Sequence, residues 1–248
     1  MSDNVASVRS GFCSSNRHLD ETIMFQNSVI IRRANFVPWA ATGVWLGVVC
    51  FGFWLLIDYE LRAGHIGHVP DVWPNQTSFE HSENRFKLVM FIHPRCPCTA
   101  ASLEELSKIL PRLGVDGSPI QRDAVRVHVV VLKPELTDAA FTDTLLVARA
   151  LDMPGVQLLF DHGGVETARF GAQTSGHTVL YSPDGRLLFA GGITGTRGHS
   201  GDNEGAELVV RAFFQKVNAS REVARARVFG CALTEPLCGE GNSKNIGM

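Results

Sequence analysis

The longest feature in the hydropathy pattern is an uninterrupted apolar run from Phe36 to Ile57 that carries no charge. As a helix it spans about 33 Å, enough to cross a hydrocarbon core of about 30 Å. Trp39 and Trp54 lie near its two ends, where indoles favour a membrane–water interface, and Pro38 falls in the first turn, where proline is tolerated. A buried core helix is the alternative, but such helices seldom run so far without a polar face. The run exits into Ile57-Asp58-Tyr59-Glu60-Leu61 with no small-residue cleavage site, which predicts a retained anchor. Arg32 and Arg33 precede it, and Arg62 is the only basic residue close behind. That asymmetry predicts a single pass through the cell inner membrane, with the N-terminus cytoplasmic and residues 58–248 facing the periplasm.

Beyond the anchor the pattern changes to short elements. Lys87–Ile92 is a continuous apolar run that reads as a buried strand, and Thr99–Leu110 places Leu103, Leu106, Ile109 and Leu110 at helical spacing. Val125–Leu132 is rich in β-branched residues and reads as a strand, with Thr137 or Asp138 capping a helical stretch to Leu151. Val156–Phe160 is a further strand, followed by a helical turn over Val165–Phe170. Thr178–Tyr181 and Leu187–Ala190 form a hairpin around Pro183-Asp184-Gly185, and Glu204–Val217 closes the series as a helix. The order βαβ then ββα predicts an α/β sandwich, a mixed sheet flanked by helices. The organisation is therefore a cytoplasmic tail (1–35), a transmembrane helix (36–57), a linker (58–84), an α/β domain (85–232) and a C-terminal tail (233–248). Met24 would open a shorter anchored chain, so residues 1–23 are either a polar tail or an over-extended start.

Composition adds an exclusion. Lys+Arg 23 against Asp+Glu 25 leaves no basic footprint for nucleic acid. Six cysteines matter more. Cys50 lies in the apolar run as a small hydrophobe, and Cys13 is a solvated thiol in a polar stretch. The remaining four form two close pairs, Cys96/Cys98 and Cys231/Cys238. Cys96-Pro97-Cys98 follows a strand and precedes a helix. This predicts Cys96 at the helix N-cap and Pro97 at the first helical position, where free amides and the helix dipole stabilise a thiolate. His93 and Arg95 are candidate cationic supports.

The segment Phe91-Ile92-His93-Pro94-Arg95-Cys96-Pro97-Cys98 with its following helix resembles the active-site region of the thioredoxin superfamily. More narrowly it resembles membrane-anchored thioredoxin-like proteins labelled RedB. Three segments carry the resemblance: His93–Leu106, Phe170–His177 and Gly191–Asn203. It implies a thioredoxin-like fold over roughly residues 85–232 and thiol–disulfide oxidoreductase activity on the thiols or disulfides of other proteins, with Cys96 as nucleophile and Cys98 as resolver. Two departures stand out. One residue rather than two separates the thiols, and Gly176 stands where thioredoxins carry a cis-proline.

The chemistry predicted for the pair is attack of a thiolate on a disulfide, with resolution by the second thiol and no cofactor. A disulfide across one residue closes a small ring, which predicts a more oxidising couple than thioredoxin's, about −270 mV. Antiparallel hairpin strands would bring Ser175-Gly176-His177 and the Gly191–Asn203 loop beside Cys96. Arg197 and His199 would then stabilise the thiolate or bind substrate, unless the loop is simply a flexible surface segment. The rival reading is a copper accessory protein, in which Cys96 and Cys98 with His177 or His199 form a soft site for Cu(I). An inert disulfide is the third. Cys231 and Cys238 are expected to form a disulfide that ties down the tail, with a relay to Cys96/Cys98 as the alternative.

Overall fold

The computed structural model describes residues 17–79, 84–115, 124–135, 137–215 and 222–233, with the side chains of its first helix described from Pro38 onward. That helix, α1 (Arg17–Leu61), starts well before Phe36 and continues through Pro38. Its stretch Pro38–Leu61 is 24 residues long and apolar enough to cross a membrane. Trp39, Trp45, Phe53 and Leu56 are all exposed on it. A helix satisfies its own backbone and needs only an apolar surround for such a surface, so this stretch is a candidate membrane span. The chain divides into two compact units, Met1–Ile57 and Asp58–Met248.

The elements of the second unit are β1 (Phe86–Ile92), α2 (Thr99–Ile109), β2 (Val125–Lys133), α3 (Leu145–Leu151), β3 (Val156–His162), α4 (Val165–Arg169), β4 (His177–Tyr181), β5 (Leu187–Gly191), α5 (Glu204–Gln215) and β6 (Ala224–Arg225). The strands form one sheet in the order β3-β2-β1-β4-β5-β6. β1, β2 and β3 run parallel, as do β5 and β6, while β4 is antiparallel to both β1 and β5. This is a thioredoxin-like α/β fold whose sheet is widened by β3 on one edge and β6 on the other.

β1 and β2 are buried on both faces, which is why they read as continuous rather than alternating apolar runs. Leu88, Met90, Ile92, Val127, Val129 and Val131 point into the core built with α2, α3 and α5. Val89, Phe91, Val130 and Leu132 point into a second core on the opposite face. That second core corrects the reading of 58–84 as a linker. Val69, Trp73 and Phe79 are buried in it, and the Trp73 ring lies 5.1 Å from Phe170 and 5.2 Å from Tyr181. The Tyr181 hydroxyl donates to the Pro70 carbonyl at 2.8 Å, and the Gly67 amide donates to the Gly171 carbonyl at 2.9 Å. A segment rich in Gly and Pro reads as loop, yet its few large apolar side chains cover a sheet face.

Two further differences bear on the site. The helix expected from Thr137/Asp138 to Leu151 is broken. Asp138 caps only a single 3₁₀ turn, Ala139–Phe141, and the chain restarts at Thr144, whose hydroxyl accepts from the Val147 amide and caps α3. That hydroxyl also donates to the Pro94 carbonyl at 3.0 Å, fastening the turn before the thiols to α3. The strand β6 is the second difference, absent from the elements expected above. It lies in Val223-Ala224-Arg225-Ala226-Arg227-Val228, whose small-residue and arginine alternation has the period of a strand.

Candidate functional site: a cluster of three thiols

β1 ends at Ile92, and the chain turns through His93–Cys98 before α2 begins at Thr99. The Cys96 amide donates to the His93 carbonyl at 3.2 Å, and the Thr99 amide to the Cys96 carbonyl at 3.0 Å. The residue at the N-cap is thus Cys98, not Cys96 as the sequence suggests, and Pro97 lies in the turn before the helix. The extra 3₁₀-like turn ahead of Thr99 accounts for the displacement. Cys96 is still close enough to the helix start for donors there to reach its sulfur.

A hydroxyl latch holds this turn. The Ser175 hydroxyl accepts from the His93 amide at 2.9 Å and lies 2.9 Å from the Thr99 hydroxyl. The Thr99 hydroxyl also reaches the His93 carbonyl at 3.3 Å. Ser175 is placed by the register of β4 on β1, in which His177 pairs with Phe91 and the Gly176 amide donates to the Phe91 carbonyl at 2.8 Å. Gly176 has φ +90°, and a Cβ there would sit 2.6 Å from the Ser102 hydroxyl. Proline is held near φ −65°, so this backbone excludes the residue that thioredoxins place at this point.

The third thiol is Cys231. Its sulfur and those of Cys96 and Cys98 all lie within 4.8 Å of one another, and its amide donates to the Cys96 sulfur at 3.4 Å. Cys96 and Cys98 are buried and Cys231 is half-buried. Burial would push the Cys96 thiol up. Hydrogen bonds from the Cys231 side chain and backbone, the Cys98 backbone and the Thr99 hydroxyl outweigh it and bring the thiol below its ordinary value. Burial and the neighbouring Cys96 charge raise Cys98, and Arg197 opposes the rise. Burial and Cys96 push Cys231 up to about 12, again against Arg197. Of the three sulfurs, Cys96 is the one whose surroundings favour the thiolate, while those of Cys98 and Cys231 favour the thiol.

The remaining candidates distribute unevenly around this cluster. Arg197 is beside it: its guanidinium donates to the Gly230 carbonyl and to the Arg62 carbonyl, and stacks on Tyr59 at 5.1 Å. Arg95 turns to the other side. It covers the Phe141 ring at 4.8 Å and donates to the carbonyls of Ala140 and Phe141. His93 gives no cationic support either: burial and Arg95 lower its pKa, and its Nδ1 accepts from the Arg95 amide at 3.1 Å. His177 is fully buried, both ring nitrogens have no partner among the described residues, and burial lowers it to about 4. His199 is exposed and engages the Arg197 carbonyl through Nδ1 at 2.9 Å. Among the described residues, neither histidine joins the sulfur cluster.

The Gly191–Asn203 loop is fastened rather than free. The Gly201 amide and the Asn203 side chain both donate to buried Glu105 on α2, at 2.7 and 3.2 Å, and Ser200 donates to Glu104 at 2.7 Å. Cys238 lies outside the described residues, so the expected Cys231–Cys238 bond does too. The position of Cys231 itself is plain. Ser175 was expected beside Cys96, but its latch on His93 and Thr99, Thr99 itself and the place of Cys231 escaped sequence reasoning, and the one available signal for Cys231 was the alternation over 223–228 that leads a strand toward it.

No family model matches the chain, and no curated protein matches it. Solved structures do. An uncharacterized conserved protein from Geobacillus kaustophilus is 12% identical with a TM-score of 0.48, covering 71% of this chain and 94% of its own. A secreted Mycobacterium tuberculosis disulfide oxidoreductase homologous to E. coli DsbE is 16% identical with a TM-score of 0.35, covering 53% and 82%. Arabidopsis thaliana ScoI with copper bound is 14% identical with a TM-score of 0.36, covering 54% and 86%. Likeness at this level carries no argument about activity.

The donor set around Cys96 has a direct consequence. In the reduced full chain, thiolate absorbance is expected to show one thiol ionising at lower pH than the other cysteines. Thr99→Val and Cys231→Ala each remove a donor and should move that titration upward. A titration at the ordinary value, unmoved by both substitutions, would contradict the assignment.

Proposed function

We propose that this chain is a membrane-tethered thiol–disulfide oxidoreductase that acts on the cysteines of other proteins through Cys96 and Cys98. The observation that carries it is the geometry of the pair: the Cys96 sulfur accepts from the Cys231 amide at 3.4 Å with the Cys98 sulfur within 4.8 Å, an arrangement that lowers the Cys96 thiol while Cys98 is raised. The thiolate is the nucleophile in disulfide exchange, and a protonated neighbour stays in reserve until it is needed.

In the reducing direction the Cys96 thiolate attacks one sulfur of a substrate disulfide. A Cys96–substrate bond forms, and the other substrate sulfur leaves as a thiolate that takes a proton. Cys98 then gives up its proton and attacks the Cys96 sulfur. The substrate's second thiolate is released, and the two electrons gained by the substrate are those lost in forming Cys96–Cys98. In the oxidising direction a substrate thiolate opens Cys96–Cys98 and the same steps run backward. Arg197 bears its positive charge next to Cys98 and favours that sulfur as leaving thiolate.

One observation favours a second reading. Three thiols within 4.8 Å of one another are a soft donor set that suits Cu(I). Cys96, Cys98 and Cys231 would hold the ion, in place of the histidines expected from the sequence, and a bound Cu(I) would occupy the sulfurs that exchange requires.

The test uses the full chain in detergent with a disulfide-bonded peptide and a glutathione buffer. Cys96→Ser is expected to lower exchange at least a hundredfold. Exchange that survives Cys96→Ser overturns the proposal. Absence of exchange in the wild type, together with Cu(I) held against a strong chelator and lost in Cys96→Ser and Cys98→Ser, replaces it with the copper reading. The topology proposed from the arginine flanks places the outer domain in the periplasm. Protease added to spheroplasts should then remove residues beyond 58 while alkaline extraction leaves the anchor in the membrane, and full protection from protease would reverse the orientation.

A further inference from the structure

From β6 the chain runs along the sheet edge and is led to the thiols by a series of backbone bonds. β6 pairs with β5, the Ala226 amide donates to the Ala190 carbonyl and the Gly192 amide to the Arg227 carbonyl, each at 3.2 Å. The Gly64 amide then donates to the Val228 carbonyl at 2.7 Å. At Gly230 the chain passes so close to residue 175 that a Cβ would sit 2.1 Å from the Ser175 carbonyl oxygen. Beyond it, Thr174 and Ala232 form an antiparallel bridge, flanked by the Ser175 amide on the Cys231 carbonyl at 2.8 Å and the Leu233 amide on the Gln173 carbonyl at 2.9 Å. Leu233 is buried in the second core. The segment is thus fixed on both sides of Cys231, and one of the residues it pairs with, Ser175, is the one whose hydroxyl latches the Cys96 turn.

A cysteine packed only as a small hydrophobe has no reason to face two other thiols. Cys231 faces both, and it is the least buried of the three. Here the chain itself occupies the backbone edge beside Cys96 and delivers a thiol there, 135 positions away in sequence.

We propose that Cys231 is a third redox thiol of the site, which exchanges with the Cys96–Cys98 disulfide so that the oxidised protein also holds a Cys96–Cys231 bond. The proposal rests on the redox reading of Cys96 and Cys98. The Cys231 thiol loses its proton and its sulfur attacks Cys96. The Cys96–Cys98 bond breaks, Cys98 leaves as a thiolate, and it takes up one proton. Two sulfurs are oxidised before and after, so no outside oxidant enters. The exchange relieves the small ring that a bond across one residue must close, because a Cys96–Cys231 bond closes no such ring. It also moves the disulfide from the buried pair to the half-exposed residue, where another protein's thiol reaches it more readily.

The test compares the full chain in detergent as wild type, Cys98→Ser, and Cys98→Ser/Cys231→Ser. Each is oxidised by glutathione disulfide, quenched in acid, alkylated and mapped by mass spectrometry. In Cys98→Ser, Cys96–Cys231 is the expected product, with glutathione on Cys96 at one-tenth or less of its level in the double variant. Equal glutathione on Cys96 in both variants with Cys231 left as a free thiol overturns the proposal, as does Cys231 found bonded to Cys238. A wild type that forms Cys96–Cys98 in either case leaves the redox reading standing. No disulfide on Cys96 in any of the three proteins removes that reading and this proposal with it.

Discussion

The antiparallel register of β4 on β1 decides what stands beside the thiols, because it pairs Phe91 with His177 and so sets Thr174, Ser175 and Gly176 at the end of β1. Two sets of contacts depend on that placement. Ser175 latches the His93 amide and the Thr99 hydroxyl, which fixes the turn that carries Cys96. The backbone of residues 173–175 gives the returning chain an edge to pair with, which fixes Cys231. A slip of one residue in this register would turn every β4 side chain to the other face and dismantle both contacts. Two buried cores, one on each face of the central strands, make such a slip expensive.

The electrostatics of the cluster are built from weak parts. Among the described residues, no cationic side chain donates to Cys96, and the two that looked best placed for this in the sequence, His93 and Arg95, are committed elsewhere. Neutral donors lower it instead: the Cys231 thiol, the backbone amides of Cys231 and Cys98, and the Thr99 hydroxyl. In a buried setting such donors are worth more than in water. In the proposed exchange, donors that favour the charged form of Cys96 would also favour the reduced protein over its disulfide and so shift the pair toward oxidising others.

The layered architecture was legible because periodicity reports burial. β1, β2, α2, β4 and α5 were visible as apolar runs or helical stripes, and the β4–β5 turn followed from Pro183-Asp184-Gly185, with Gly185 at φ +80°. The Cys-Pro-Cys pair was legible as a motif. The hairpin topology also pointed to Ser175-Gly176-His177 and Arg197 as its neighbours, but the hydroxyl latch and the third thiol were not legible, since they join residues far apart in sequence that carry no chemical signature alone. Ser175 and Thr99 are common hydroxyl residues, and Cys231 lies behind a two-residue strand whose only mark is an alternation of small residues with Arg225 and Arg227. The segment 58–84 misled for a related reason: its glycines and prolines signal loop, while Val69, Trp73 and Phe79, spread too widely for any period, form one wall of a core.

The central claim is that the thiols at the end of β1 form an exchanging pair poised toward oxidation. Its most direct test is the reduction potential of the metal-free full chain, read by alkylation mass spectrometry at Cys96 across graded glutathione buffers. A reversible two-electron couple more oxidising than about −270 mV, the value for thioredoxin, is the expected result. A couple at or below that value would contradict the stabilised thiolate, and the absence of any couple would remove the redox function altogether.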